Sequence, residues 1–181
     1  MDTLLTWVVC AVGLCGAELA YWLPLKKRRN FTMRTALNFI AAVLFAQVII
    51  WANSGHANPT MLLVVYGGYF IWAAVSTHLC TLLDWSASAY CSIWIVLTTE
   101  SAYELWRVLI WTAQALGMRQ LLLHSTPMLL GQLGFAIACC VTVRYTMART
   151  MPEDGIYHIG PRQLGSAGLL GAIFVFQFFA L

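Results

Sequence analysis

The stretch Glu18-Leu-Ala-Tyr-Trp-Leu-Pro-Leu-Lys-Lys-Arg-Arg-Asn-Phe-Thr-Met-Arg34 decides how the rest of the chain is read. It closes one apolar run, Leu4 to Leu23, with a proline and four consecutive cations, and reopens into a second run from Thr35. A long apolar segment followed at once by a basic cluster behaves as a stop-transfer sequence. The flank ahead of it carries Asp2 instead of a basic residue, and its apolar part is too long for a signal peptide, so the run reads as a retained helix.

Working outward, the same pattern recurs along the chain. Apolar runs extend over Leu4 to Leu23, Thr35 to Ala52, Met61 to Leu83, Ser86 to about Thr112, Gln120 to Val143 and Leu164 to Leu181. A helix rises about 1.5 Å per residue and needs roughly 20 residues to cross about 30 Å of hydrocarbon, a length that each run approaches or exceeds. Period-2 alternation is absent, which disfavours a β-barrel. The fold class expected is all-α: a polytopic membrane protein with a six-helix transmembrane bundle, in one domain over residues 1–181. Composition agrees, since 61% of the 181 residues are hydrophobic and 9% charged, against about a quarter charged in soluble domains. A net charge of +3 supplies no broad basic face, so nucleic acid is not an expected partner.

Basic residues set the expected orientation. Lys26, Lys27, Arg28, Arg29 and Arg34 join runs one and two, and Arg144, Arg149 and Arg162 join runs five and six. Retention of basic loops on the cytoplasmic side places the N-terminus outside. Arg107 and Arg119 then lie toward the outer side. Trp22, Trp51 and Trp85 fall near run ends, where interfacial aromatics are expected. Pro127, inside run five, is expected to kink it.

An ionised side chain at mid-bilayer costs at least about 2.5–3.5 kcal/mol, so the acids within runs are the first candidates for function. Glu18 lies near the inner end of its run, where it can reach the headgroups and be offset by Lys26 or Arg28; it, the cluster Lys26, Lys27, Arg28, Arg29, and Pro127 are structural or coupling candidates. Glu100, Glu104 and Arg107 share one helix face by their spacings of four and three, and Glu104 with Arg107 can neutralise each other. Glu100 is then the unpaired acid. One reading has it fasten the bundle through polar neighbours; the other makes this face the wall of a ligand pocket with Thr98, Gln114 or Gln47.

Other residues carry less. His78 and Cys80 have i, i+2 spacing, which faces apart on a helix, and His56, His124 and His158 have no partner at ligand spacing, so no metal is expected. Cys10, Cys15, Cys80, Cys91, Cys139 and Cys140 all lie in apolar runs without a CxxC, and behave as small apolar residues. Small-residue pairs at four-residue spacing (Gly13 with Ala17, Gly16 with Ala20, Gly134 with Ala138, Ala167 with Gly171, Gly168 with Ala172) imply close helix packing. No GxxxxGK[ST], HExxH or GxSxG is present, so no catalytic residue and no cofactor are assigned.

Three segments resemble the N-terminal membrane sensor domain of bacterial histidine kinases with a GHKL-type ATPase, the group that includes peptide quorum-sensing receptors. They are Glu18 to Arg34, Tyr90 to Trp106 with its closing Glu-Leu-Trp, and Met151-Pro-Glu-Asp-Gly-Ile-Tyr-His-Ile-Gly-Pro-Arg-Gln163. The resemblance implies a non-catalytic receptor domain of a two-component system in the bacterial cell membrane. Its partners would be the lipid bilayer, a peptide or small-molecule ligand, and a second copy held through a C-terminal region absent from these residues. Kinase activity is expected only of a longer parent chain carrying the ATPase, with one more span after Leu181. The alternatives are the substrate-binding membrane subunit of a vitamin-type transporter and a structural membrane protein.

Overall fold

The computed structural model describes residues 2–51, 59–117, 125–146 and 159–179. Six helices account for nearly all of them: α1 (Asp2–Trp22), α2 (Phe31–Trp51), α3 (Pro59–Cys80), α4 (Trp85–Ala115), α5 (Ser125–Thr146) and α6 (Pro161–Phe179). Their boundaries follow local chemistry. Asn30, at φ 62°, takes the left-handed conformation that Asn tolerates and turns the chain into α2. Asp84 caps α4, its carboxylate accepting the Ala87 N–H at 3.0 Å. Gly117, at φ 82°, follows the end of α4, where a left-handed residue is favoured, and donates its N–H to the Gln114 carbonyl. Pro161 opens α6, and the Gln163 side chain reaches back to accept the Gly160 N–H at 3.2 Å, half of a capping box.

Pro127 stands at the start of α5 and not in mid-helix, where the sequence expectation of a kink had put it. The helix starts at Ser125, which puts Pro127 in its first turn. Those N–H groups have no intrahelical acceptor, so nothing is lost by removing one.

The first four helices form a diamond. α1 and α3 each pack against both α2 and α4, and meet each other across the short diagonal. α5 lies in the groove between α1 and α4, and α6 leans on α4. The core between α1, α3 and α4 is built from Leu14, Ala17, Tyr21, Val65, Tyr69, Ala73 and Ile95, while Ala11, Cys15, Ala42 and Ala46 seat α2 on α1. Two of the small-residue pairs sit at close approaches: a Cβ on Gly16 would lie 3.3 Å from Cys140 Sγ of α5, and one on Gly171 would lie 3.5 Å from Ile93 of α4. Gly13, Gly134 and Gly168 face open space.

Outward faces are apolar, with Leu44 62% and Val64 68% exposed. α1, α2, α3 and α5 are long and apolar enough to cross a membrane. α4 and α6 are not among them: α4 carries Glu100, Glu104 and Arg107 among many Ser, Thr, Tyr and Trp, and α6 begins with Arg162 and Gln163. The architecture is therefore all-helical with four helices compatible with a membrane, two fewer than composition-led reading of the runs counts.

Candidate functional site

The most demanding residue in the bundle is Glu18, which has no solvent exposure at all. It does not reach toward headgroups or toward Lys26 and Arg28, as its position in the sequence suggested. Its carboxylate accepts a hydrogen bond from Asn38 Nδ2 of α2 on one oxygen, and one from Ser76 Oγ of α3 at 2.7 Å on the other. Three helices thus meet on one acid. A buried carboxylate without donors would be strongly unfavourable, and here each oxygen has one.

Further polar pairs line the α1, α3 and α4 contacts. Tyr21 bonds Thr98 at 3.1 Å and Tyr69 bonds Thr99 at 3.0 Å through their hydroxyls, and Trp22 Nε1 donates to Thr77 Oγ1 at 2.9 Å. Trp22 is consequently a fully buried bridge between α1 and α3, not an interfacial anchor; Trp51 and Trp85 remain exposed. Phe45, Tyr69 and Trp72 form an aromatic cluster, with Phe45 and Trp72 centroids 5.7 Å apart.

Directly beyond Trp22 the basic turn closes onto the turn between α3 and α4. Lys27 and Thr81 form an antiparallel bridge, with Arg28 N–H donating to the Cys80 carbonyl at 3.1 Å and Leu82 N–H to the Lys26 carbonyl at 2.9 Å. Arg28 Nε donates to the Thr81 carbonyl at 2.7 Å, and Arg34 Nη1 to the Leu79 carbonyl at 2.6 Å. One guanidinium thereby holds a last-turn carbonyl of α3 and the other the carbonyl just past its end, where a helix dipole favours cations. His78 completes the clasp: its Nδ1 lies 2.9 Å from the Leu83 carbonyl, its Nε2 3.5 Å from Arg28, and its ring stacks on Trp85 at 4.1 Å. Lys27 sits over the Phe31 ring at 5.5 Å, and Lys26 and Arg29 are exposed.

Glu100 lies fifteen residues along α4 from Trp85, about 22 Å from that helix's start. It is 9% exposed, and no hydrogen bond reaches its carboxylate among the described residues. Glu104 and Arg107 pair with each other at 3.0 Å on a partly open face of α4, and Arg107 also covers the Trp111 ring at 5.0 Å. The structure does not bring Gln47 to this face: it is half-buried on α2, across the diamond from α4. Gln114 is exposed, and Thr98 is engaged by Tyr21. No group of His, Cys, Asp and Glu among the described residues is arranged to hold a metal, and all six cysteines are free. His56, Arg119, His124, Arg149, Pro152, Asp154 and His158 lie outside the described residues.

Asn38 is a lone polar residue in its stretch of an apolar run, and Ser76 opens the polar triplet Ser76-Thr77-His78, so neither residue type nor spacing marks them as partners of Glu18. Depth was the available signal. Glu18 and Ser76 each stand four residues, about 6 Å, before the ends of α1 and α3, and Asn38 stands seven residues, about 10 Å, into α2. All three fall at the same end of the bundle.

Fold and site together define a helical bundle with apolar flanks, a buried three-helix carboxylate and a tied pair of turns. Comparison with protein-family models, with curated proteins and with solved structures finds no match for this chain.

Proposed function

We propose that the chain is the membrane-embedded sensor domain of a two-component histidine kinase, multi-pass in the bacterial cell membrane with six spans and its N-terminus outside. α4 and α6 cross as well: α4 runs beside α1 and α3, and its 31 residues exceed the bilayer requirement. The orientation rests on the basic turn, whose backbone bonds to the α3–α4 turn keep both turns on the same side, the cytoplasmic one.

The observation that carries the sensing role is the convergence of α1, α2 and α3 on Glu18, one helical turn from the clasp. A receptor needs a bistable contact that a ligand can bias. Here any change in how Glu18 is shared between Asn38 and Ser76 shifts the inner end of α3 against α1, and the clasp carries that shift to the cytoplasmic turns. Glu100, buried on the outer half of α4 with no donor among the described residues, is the ligand-facing group, with the Glu104–Arg107 pair beside it.

The coding sequence past Leu181 tests this directly. One further span followed by a GHKL ATPase domain is the expected result, and a stop codon immediately after Leu181 would sink the kinase assignment. Reporter fusions at Asn30 and Ser54 are expected on opposite sides of the membrane; the same side for both would overturn the orientation.

A further inference from the structure

Between α1 and α5 runs an open cavity of about 610 Å³. Its floor is Gly16 and Ala20 of α1 and Ala136 and Cys140 of α5, and Arg144 and Tyr145 stand at its end. The two helices run the same way through the bundle, so the groove is a lengthwise channel, not a pit. From Val12 to Leu23 it spans eleven residues, about 16 Å, which is close to half of a 30 Å hydrocarbon core. It therefore has the depth of one leaflet. Apart from its mouth, the lining is apolar.

Arg144 gives the groove a chemical direction. It is half-buried at the end that Leu23 and Tyr145 also mark, and no carboxylate pairs with it among the described residues. A long apolar slot ending in an unpaired guanidinium at headgroup level is complementary to a lipid whose phosphate carries net negative charge. We infer that the α1–α5 groove holds one acyl chain of an anionic phospholipid of the cytoplasmic leaflet, with its phosphate on Arg144. The inference uses the proposed crossing direction of α1 and α5 and is independent of the sensing role.

The test uses the whole chain in bilayer discs of equal phosphatidylglycerol and phosphatidylcholine, released into a mild non-ionic detergent and weighed by native mass spectrometry. Wild type is expected to retain one phosphatidylglycerol in preference to phosphatidylcholine by about fivefold, the factor for one cation at a membrane surface. Arg144→Gln removes the preference and Arg144→Lys keeps it, whereas Val141→Trp, which fills the groove beside its mouth, lowers retention of both lipids. Equal retention by wild type overturns the inference, as does an undiminished preference in Arg144→Gln. Dimers that fall in abundance with Val141→Trp would show a second copy in the groove, and would overturn it too.

Discussion

Glu18 and Glu100 are chemically the same residue in opposite circumstances, and they respond differently to substitution. Removing Glu18 strands the Asn38 amide in the interior, while the Ser76 hydroxyl falls back on the Ala73 carbonyl 3.1 Å away. Intramembrane hydrogen bonds contribute about 0.6 kcal/mol each and up to about 1.7, so Glu18→Ala is expected to lower stability by roughly 1–3 kcal/mol. Glu18→Gln keeps an acceptor and recovers part of that. Among the described residues Glu100 has no donor to strand, so Glu100→Leu is expected to leave stability unchanged or raise it by about 1–2 kcal/mol. Unfolding of the purified protein in mixed micelles measures both, and a clear loss of stability for Glu100→Leu would mean that the acid fastens the bundle. The Glu104–Arg107 pair, partly open to its surroundings, is worth only about 0.3–0.5 kcal/mol. That pairing was readable from its i, i+3 spacing, because both partners sit on one helix. The partners of Glu18 were not, because they lie 20 and 58 residues away and are fixed only by how helices pack.

Between elements, α4 and α5 meet tightly at Gly131. A Cβ on Gly131 would lie 2.7 Å from the Trp106 ring, and Trp106 packs against Phe135 with centroids 6.0 Å apart. An indole is rigid, so Gly131→Ala is expected to push α5 from α4 at a cost of about 1–3 kcal/mol. Trp106→Leu should relieve most of it, and a double-mutant cycle showing no coupling between the two positions would contradict this contact. The clasp supports a second expectation. Arg28→Gln loses a charge-assisted bond to the Thr81 carbonyl, worth about 1.5–3 kcal/mol, and should speed protease cleavage within the Leu23 to Asn30 turn. Helix boundaries at this scale were legible to within a few residues, since prolines, Asp84 and the cation clusters mark them. The role of Pro127 was not, because it depends on where α5 begins, and an apolar run starting at Gln120 hides a start at Ser125.

For the molecule as a whole, low charge and long apolar runs were enough to establish an all-helical chain with membrane-compatible faces. They were not enough to rank the helices. α4 has the polar content of a helix surrounded by protein, and it packs on α1, α3, α5 and α6. Alkaline carbonate extraction is expected to leave the protein in the membrane pellet; release into the supernatant would refute membrane insertion. The clasp also bears on how the chain is made. Arg28 and Arg34 are synthesised well before Leu79, Cys80 and Thr81, whose carbonyls they finally hold. During insertion these cations are free, and on the proposed orientation they act as the charge that keeps the first turn inside. Only when α3 is complete do they become its cap. Neutralising them should therefore produce two faults separable in time: a fraction of chains threaded the wrong way round, fixed at synthesis, and a looser bundle among those threaded correctly.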